Sequence, residues 1–426
     1  MLVKYGIDDR PAPVAMILYG LQWWVISLPC VVILGVVVGR LHFSEVSDQV
    51  FYLQKLFGLM GLAAIIQTFL GHRLPLVVGP AAILLVGLTA SQASGLPALY
   101  TAMAVGGGVL ALTALSGLLT RVRAFFTPRI VVVILVLIAF TLTPTILNLT
   151  FTGVDQPARH LGFVLALTLA MIMANNWLPG IWKSMTVLIG LAGGSLVYFL
   201  IFGGPGPVEQ LAGSSAQGFF IDRAEFDPGT ILSFLFCMLA LSINEMGSIE
   251  SIGQMLGAGD MSGRVRRGLG TQGLANLAAG AVGVIGPVSY SLSAGIIAAT
   301  GCGSRYVFIP AGLGLMACAF FPGAVLIFSH LPGPVMGALM LYLMAAQLSS
   351  GLSMLVSEKC IHNFNSGITI GLPLMVGLMI CFASTQVFAE VPALLRPIVA
   401  NGFVMGAITV IIMEHVLLRP GRGGRL

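Results

Sequence analysis

Apolar segments follow one another along almost the whole chain, and they constrain the fold more than any other feature of the sequence. Only 8% of the 426 residues are charged and 57% are hydrophobic, whereas soluble domains carry roughly 25% charged residues. A membrane-spanning helix needs about 20 apolar residues. The chain is therefore predicted to be an all-α membrane protein. No soluble domain is expected, and the N-terminal residues lack the pattern of a cleaved signal peptide.

We count fourteen apolar segments, of which the third and the tenth are too short to be ordinary membrane-spanning helices. A chain of this length can hold about a dozen or more spans of ordinary length. The fourteen segments cover residues 14–39, 50–70, 74–88, 98–119, 130–146, 161–178, 185–202, 231–256, 269–285, 288–300, 306–328, 333–355, 367–383 and 398–418.

The basic residues give an independent test of this count. With the N-terminus inside, 15 of the 20 basic residues fall on the inner side and 5 on the outer side. Loops on the cytoplasmic side of membrane proteins carry the excess of Lys and Arg, and an odd number of spans would scramble the alternation. The sequence thus predicts a multi-pass protein of the cell membrane with both termini cytoplasmic. The dispersed basic residues predict no nucleic-acid partner.

The fourteen segments divide into seven plus seven at the acidic loop 203–229. In each half a Gly-Pro pair marks the short third segment: Gly79-Pro80 lies within it in the first half, and Gly286-Pro287 immediately precedes it in the second. Because seven is odd, the second half enters the membrane from the opposite side, which makes an inverted repeat. Interrupted segments at corresponding positions of two such halves indicate the binding site of a transporter.

Two acids, Glu245 and Glu250, lie deep in the eighth segment. A charge at the middle of a membrane costs ~3 kcal/mol or more, so an idle carboxylate is not expected there. The two residues are about 140° apart around a helix and cannot share one face. For Glu245, a neutral side chain bonded within the bundle is as good an interpretation as a functional one.

The remaining residue types predict no metal site, no cofactor and no enzyme. The six histidines lie near segment ends, and the six cysteines show no C-x-x-C spacing and mostly fall in apolar runs. An intramembrane enzyme would need an acid-rich metal motif or a histidine cluster, and the sequence has neither.

The stretch Ser248-Ile249-Glu250-Ser251-Ile252-Gly253 closely resembles the eighth-segment motif of the nucleobase–ascorbate transporter family, which includes uracil and xanthine permeases. The likeness covers nearly the whole chain, because weaker similarities occur in the family's order. These are Gly20-Leu21-Gln22, Arg73-Leu74-Pro75 through Gly79-Pro80, Phe125-Phe126-Thr127-Pro128-Arg129, Arg267-Gly268 with Gly273-Leu274, and Gly295 with Thr300-Gly301.

The resemblance implies a core domain, residues 1–123 and 230–330, that holds the substrate against a gate domain, residues 124–229 and 331–426. It also implies a short strand and a half-helix in segments three and ten, with backbone N–H groups pointing at the ligand. Glu250 matches the family acid that accepts hydrogen bonds from the base, and Tyr290 matches a pocket position. Many members are dimers through the gate domain, and a homodimer is left open here.

Departures from the family pattern lie in the same region. Leu292 stands where relatives have Glu or Gln, Ala82 where bacterial uracil permeases have Phe, and Gln254 where relatives have a titratable His or Asp. Glu250, together with Glu245, would then carry any coupled proton, and serine hydroxyls could replace lost polar groups. The predicted substrate-binding residues are Ala81, Ala82, Glu250, Gln254, Ser289, Tyr290, Ser291 and Leu292.

The sequence therefore predicts a secondary transporter of a nucleobase or related heterocycle, driven by a cation that we expect to be H⁺. The core would move against the gate and expose the site to each side of the membrane in turn. The alternative keeps the fold and changes the cargo: an anion exchanger like the sulfate-permease relatives. Glu250 argues against that alternative, since an anion site favours uncompensated positive charge.

Overall fold

The computed structural model describes residues 4–118, 127–203, 218–290, 293–388, 390–392 and 395–418. The first half of the chain consists of helices and one short strand. They are α1 (Pro13–His42), α2 (Val46–Phe69), β1 (Val77–Pro80), α3 (Ala82–Ala90), α4 (Leu96–Leu115), α5 (Pro128–Thr141), α6 (Thr143–Phe151), α7 (Pro157–Trp177), α8 (Gly180–Ser184) and α9 (Thr186–Phe202).

The second half repeats this sequence of long helices around one strand. Its elements are α10 (Pro228–Met255), α11 (Met261–Val282), β2 (Pro287–Tyr290), α12 (Ser293–Thr300), α13 (Phe308–Cys318), α14 (Pro322–Ser329), α15 (Gly333–Ser357), α16 (Phe364–Cys381), α17 (Arg396–Val399) and α18 (Gly402–Ile412), which ends in a wider π-turn, Met413–Leu417.

Local sequence explains where many of these helices begin. Proline occupies the first turn of α1, α4, α5, α7 and α10, a position where its missing N–H costs nothing. The side chain of Asp227 accepts a hydrogen bond from Thr230 N–H at the start of α10, and Asn363 forms a capping box with Ser366 at the start of α16. These caps satisfy donors that a helix cannot satisfy itself.

Among the described residues, eight helices are long and apolar enough to cross a membrane. The count is nine if the pair Arg305–Cys318 and Pro322–Ser329, bent by 81° at its break, is one span. The helical membrane fold is thus confirmed, and so are the strand and half-helix in the third and tenth segments. The number of fourteen membrane crossings stays a prediction.

The helices pack in two groups. The first bundle contains α1–α4 with α10–α14 and both strands, and the second bundle contains α5–α7, α9, α15, α16 and α18. The short helices α8 and α17 contact both bundles, α8 mainly through α12 and α17 mainly through α10. Glycines let the backbones approach closely inside each group. A Cβ atom at Gly107 of α4 would lie 2.4 Å from the Leu277 nitrogen of α11, and one at Gly402 of α18 would lie 2.3 Å from the Gly377 oxygen of α16.

The strands β1 and β2 pair antiparallel in the first bundle, although 210 residues separate Pro80 from Tyr290. Their register joins Val77 to Tyr290, Val78 to Ser289, Gly79 to Val288 and Pro80 to Pro287. All residues of β1 are buried, and so are all of β2 except the half-buried Tyr290. Extended backbone at this depth is stable only inside protein or beside a cavity, so the strand pair marks the place to look for a site.

Candidate functional site

Side chains from neighbouring helices satisfy the backbone groups that a two-stranded sheet leaves open. Gln272 and Asn276 of α11 both donate from their amide nitrogens to the Pro287 carbonyl, and the Tyr290 hydroxyl donates to the Pro80 carbonyl. The Ser293 hydroxyl accepts a hydrogen bond from the Val77 N–H at 2.9 Å. The interrupted backbone is therefore fixed in place, because a buried polar group without a partner costs about 1–3 kcal/mol.

Glu245 is the acid that meets the strand pair. Its side chain is fully buried. One carboxylate oxygen accepts a hydrogen bond from the Ser289 N–H at 2.6 Å, and the other accepts one from the Ser289 hydroxyl at 2.7 Å. Both oxygens are thus bonded to a single residue of β2, which explains how the fold tolerates a carboxylate at this depth.

A buried histidine extends this hydrogen-bonded chain toward the loop between α2 and β1. Nδ1 of His72 accepts the Leu74 N–H at 3.0 Å, so the ring hydrogen lies on Nε2, which is 3.5 Å from the Ser289 hydroxyl oxygen. Burial, reinforced by the Arg264 guanidinium, lowers the pKa of His72 to about 3. The ring is therefore neutral near pH 7, and successive donors point from Leu74 through His72 and Ser289 to Glu245.

A cavity of about 330 Å³ lies next to the strands, between the two bundles. Pockets of this size accommodate small organic ligands. The first bundle contributes Cys30, Leu34, Ala81, Ala82, Ile83, Ala240, Asn244, Val288 and Tyr290, and the second contributes Ile138, Met340, Leu343, Met344, Ala346, Gln347 and Ser350. Within the described chain, none of the residues that line the cavity is charged.

The half-helix α3 begins at the cavity wall. Ala81, Ala82 and Ile83 line the cavity, and the Ala81 N–H is bonded to the Gly286 carbonyl of the other broken segment. The next two N–H groups, of Ala82 and Ile83, belong to the first helical turn and have no acceptor within the helix. Together with the helix dipole they offer a ligand carbonyl a place to bind.

The structure brings three of the predicted binding residues together, since Ala81, Ala82 and Tyr290 all line the cavity. Ser289 lies behind the wall, bonded to Glu245. Glu250 is half-buried and Gln254 is exposed, and neither lines this cavity.

Glu250 lies about 9 Å further along α10 than Asn244. Ser291 and Leu292 fall outside the described residues. The binding roles proposed for these residues stay predictions.

Two polar residues of the lining, Asn244 and Gln347, were not among the predicted site residues. Their signal in the sequence is that each carboxamide stands inside an otherwise apolar helix, α10 or α15. Polar side chains in membrane helices usually face protein or a cavity. On α10 the two glutamates, Glu245 and Glu250, are the stronger signal, so the prediction from the sequence selected them and not Asn244.

The sequence matches the family model of xanthine and uracil permeases, described as a permease family, over residues 14–386. It is 24% identical to a putative purine permease of Clostridium perfringens, over 97% of this chain and 92% of that protein. It is 22% identical to the uric acid transporter UacT of Escherichia coli, over 96% and 87%. The uric acid permease PucJ of Bacillus subtilis is 23% identical, over 90% and 88%.

Two solved structures resemble the fold. The transmembrane domain of the cyanobacterial bicarbonate transporter BicA superposes with a TM-score of 0.61 at 14% identity, over 89% of this chain and 98% of that one. The murine anion transporter Slc26a9 in its inward-facing state gives a TM-score of 0.58 at 13% identity, over 95% and 69%. Similarity at this level of identity concerns the fold alone.

Proposed function

Because this chain belongs to the family of xanthine and uracil permeases, we propose that it carries a nucleobase or a related heterocycle across the membrane by H⁺-coupled symport. As a member of that family it is a multi-pass membrane transporter and not an enzyme. The substrate class follows the names of its relatives, which include purine, uric acid and xanthine permeases.

The observation that carries the proposal is the uncharged cavity between the two bundles, next to the paired broken segments. Its apolar side chains suit the faces of a flat ring, and the first-turn N–H groups of α3 suit a ring carbonyl. Tyr290 and the small residues Ala81 and Ala82 form the wall on the side of the strands. In this proposal the heterocycle lies against that wall.

We further propose that the first bundle is the core domain and the second bundle the gate domain, with the boundaries predicted from the sequence. The cavity is lined from both bundles, so a sliding movement of one against the other would open it to either side of the membrane. The helices pack mainly within their own bundle, which supports a movement of two rigid groups. The membrane in which the protein resides, the side of its termini and a homodimer remain predictions.

The coupled proton is assigned to the acids of α10. Glu245 is bonded to the strand that borders the site, so a change in its protonation would alter the contacts of β2. Glu250 is the acid that the family likeness predicts to hold the base. We propose that these two residues share proton coupling and substrate binding, and that variants can separate the two roles.

The experiment uses the full chain reconstituted in liposomes, with labelled xanthine and uracil and an inward-directed H⁺ gradient. Wild-type protein is expected to accumulate one of them at least tenfold above its external concentration, and a protonophore should abolish the accumulation. Glu250→Gln is expected to abolish accumulation; a loss of binding as well would place Glu250 in contact with the base, as the family likeness predicts, although it does not line the cavity in this structure. Glu245→Gln is expected to abolish accumulation and to retain exchange of internal for external substrate.

Two results would contradict the proposal. Accumulation that persists in Glu250→Gln and Glu245→Gln would remove both acids from the mechanism. Uptake of inorganic anions in place of bases would favour the anion exchanger. Two observations disfavour that alternative. The chain belongs to a family of xanthine and uracil permeases, and the described lining of the cavity contains no Lys or Arg.

A further inference from the structure

Two carboxamides face the same cavity from opposite bundles: Asn244 on α10 and Gln347 on α15. Both side chains are half-buried. No hydrogen bond joins either amide group to another residue in the described ranges of the chain. A carboxamide can form up to four hydrogen bonds, and polar groups inside a membrane protein are normally paired. Two unused amides in one small cavity therefore indicate a polar ligand.

The geometry of α10 explains why Asn244 reaches the cavity, whereas Glu245 and Glu250 on the same helix do not. Ala240 and Asn244 are four residues apart and lie on one face of α10, and both line the cavity. Glu245 is rotated by about 100° from Asn244 and points to Ser289 of β2 instead. The side-chain group that α10 presents to a ligand in this cavity is thus neutral.

The hydroxyl groups of the lining already donate their hydrogens to the protein. The Tyr290 hydroxyl donates to the Pro80 carbonyl, and the Ser350 hydroxyl donates to the Ala346 carbonyl at 3.1 Å. Both can still accept a hydrogen bond. The side-chain N–H donors that remain for a ligand are those of Asn244 and Gln347, and each stands beside a carbonyl acceptor of the same amide.

We propose that Asn244 and Gln347 determine which base this site selects, an inference that rests on the proposed nucleobase transport. A carboxamide places one donor beside one acceptor and so matches a ring edge with N–H beside C=O. A carboxylate offers two acceptors and matches an edge with two parallel N–H groups. The site therefore selects bases that present a ring N–H beside a C=O group, a lactam edge. An additional amino group next to that N–H does not increase the affinity of the base.

Hypoxanthine and guanine test this directly, since guanine adds only an amino group beside the ring N–H. The probes are the two bases themselves, and their affinities are measured on the full chain in nanodiscs. Asn244→Asp is expected to raise the ratio of guanine affinity to hypoxanthine affinity about tenfold or more, the usual discrimination of one bidentate contact to a base edge. Asn244→Leu, which keeps the branching at Cγ but removes the carboxamide, is expected to weaken both bases by tenfold or more without changing their ratio.

Gln347→Glu provides a second measurement if the aspartate at position 244 prevents folding. It is expected to shift the affinity ratio in the same direction, and melting temperatures without ligand report whether each variant is folded. Unchanged affinities in Asn244→Leu together with an unchanged ratio in both acidic variants would overturn the inference.

Failure of this inference can be told apart from failure of the proposed function. A wild-type chain that accumulates xanthine or uracil in liposomes but binds neither hypoxanthine nor guanine keeps the proposed function and loses the inference. A wild-type chain that neither transports nor binds any of the four bases loses both.

Discussion

The two broken segments of this protein look equivalent in sequence, but they differ in how the fold uses them. The first, β1 with α3, contributes backbone: Val77, Val78, Gly79 and Pro80 have apolar side chains or none. The second, β2 with α12, contributes polar side chains, because Ser289, Tyr290 and Ser293 each form a hydrogen bond that crosses to another element. The two halves share the geometry of a strand and a half-helix, but only the strand of the second half carries polar side chains.

The second broken segment is therefore the one connected to the titratable groups. Glu245, His72 and the amides of α11 all converge on β2. The first segment offers the cavity its small residues and its helical N–H groups. Substitutions on the two strands should therefore have different consequences for transport, even where their effects on stability are similar.

The largest effect is expected for Glu245→Ala. The Ser289 N–H and hydroxyl would lose their partner inside the protein, at a cost of about 1–3 kcal/mol each, so we expect the free energy of unfolding to fall by about 2–6 kcal/mol. Glu250→Ala is the matched control on the same helix, with an expected loss of about 1 kcal/mol. Thermal unfolding in detergent measures both losses of stability. Equal losses would contradict the expectation that the hydrogen bonds of Glu245 to β2 stabilise the fold more than the contacts of Glu250 do.

A closer comparison uses the paired residues Ser289 and Val78, which lie opposite each other in the two strands. Ser289→Ala removes a hydrogen bond to a carboxylate, worth roughly 1.5–3 kcal/mol. Val78→Ala removes two buried methyl groups, worth about 1.5 kcal/mol. We expect Ser289→Ala to abolish H⁺-driven accumulation and Val78→Ala to retain it.

The same liposome assay and thermal unfolding measure this pair of variants. If Val78→Ala stopped transport as completely as Ser289→Ala, the functional difference between the strands would disappear.

The smallest effect is expected for Gln272→Leu on α11. It removes one of the two donors to the Pro287 carbonyl and the acceptor of a hydrogen bond from Gln67, but Asn276 still bonds the Pro287 oxygen and the Gln67 amide still bonds the Gly268 carbonyl, so a loss of about 1–2 kcal/mol is expected. Gln92→Leu is the control, since Gln92 is exposed and lies outside the site. A loss much above 2 kcal/mol for Gln272→Leu would indicate that the amides of α11 are the main support of β2.

The sequence was sufficient to predict the helical membrane fold and the two interrupted segments, because apolar length and Gly-Pro pairs are local signals. The resemblance also predicted Ala81, Ala82 and Tyr290 as binding residues; the three line one cavity, and their roles in binding stay predictions. The sequence could not show which acid meets the strands, since both lie in one apolar helix and their direction and depth relative to β2 depend on how α10 packs. Nor could it reveal Gln347, because that residue reaches the cavity only once the two bundles are packed together.

The separation of the two strands along the chain has a consequence for biogenesis. Pro80 and Tyr290 are 210 residues apart, which at typical rates of synthesis corresponds to roughly 10–40 s. During that interval β1 lacks the partner to which its backbone groups are bonded in the mature protein, and lipid provides no substitute. The nascent third segment must therefore be sheltered by the insertion machinery or by neighbouring helices until the second half arrives. Insertion of this chain is complete only when its two halves meet.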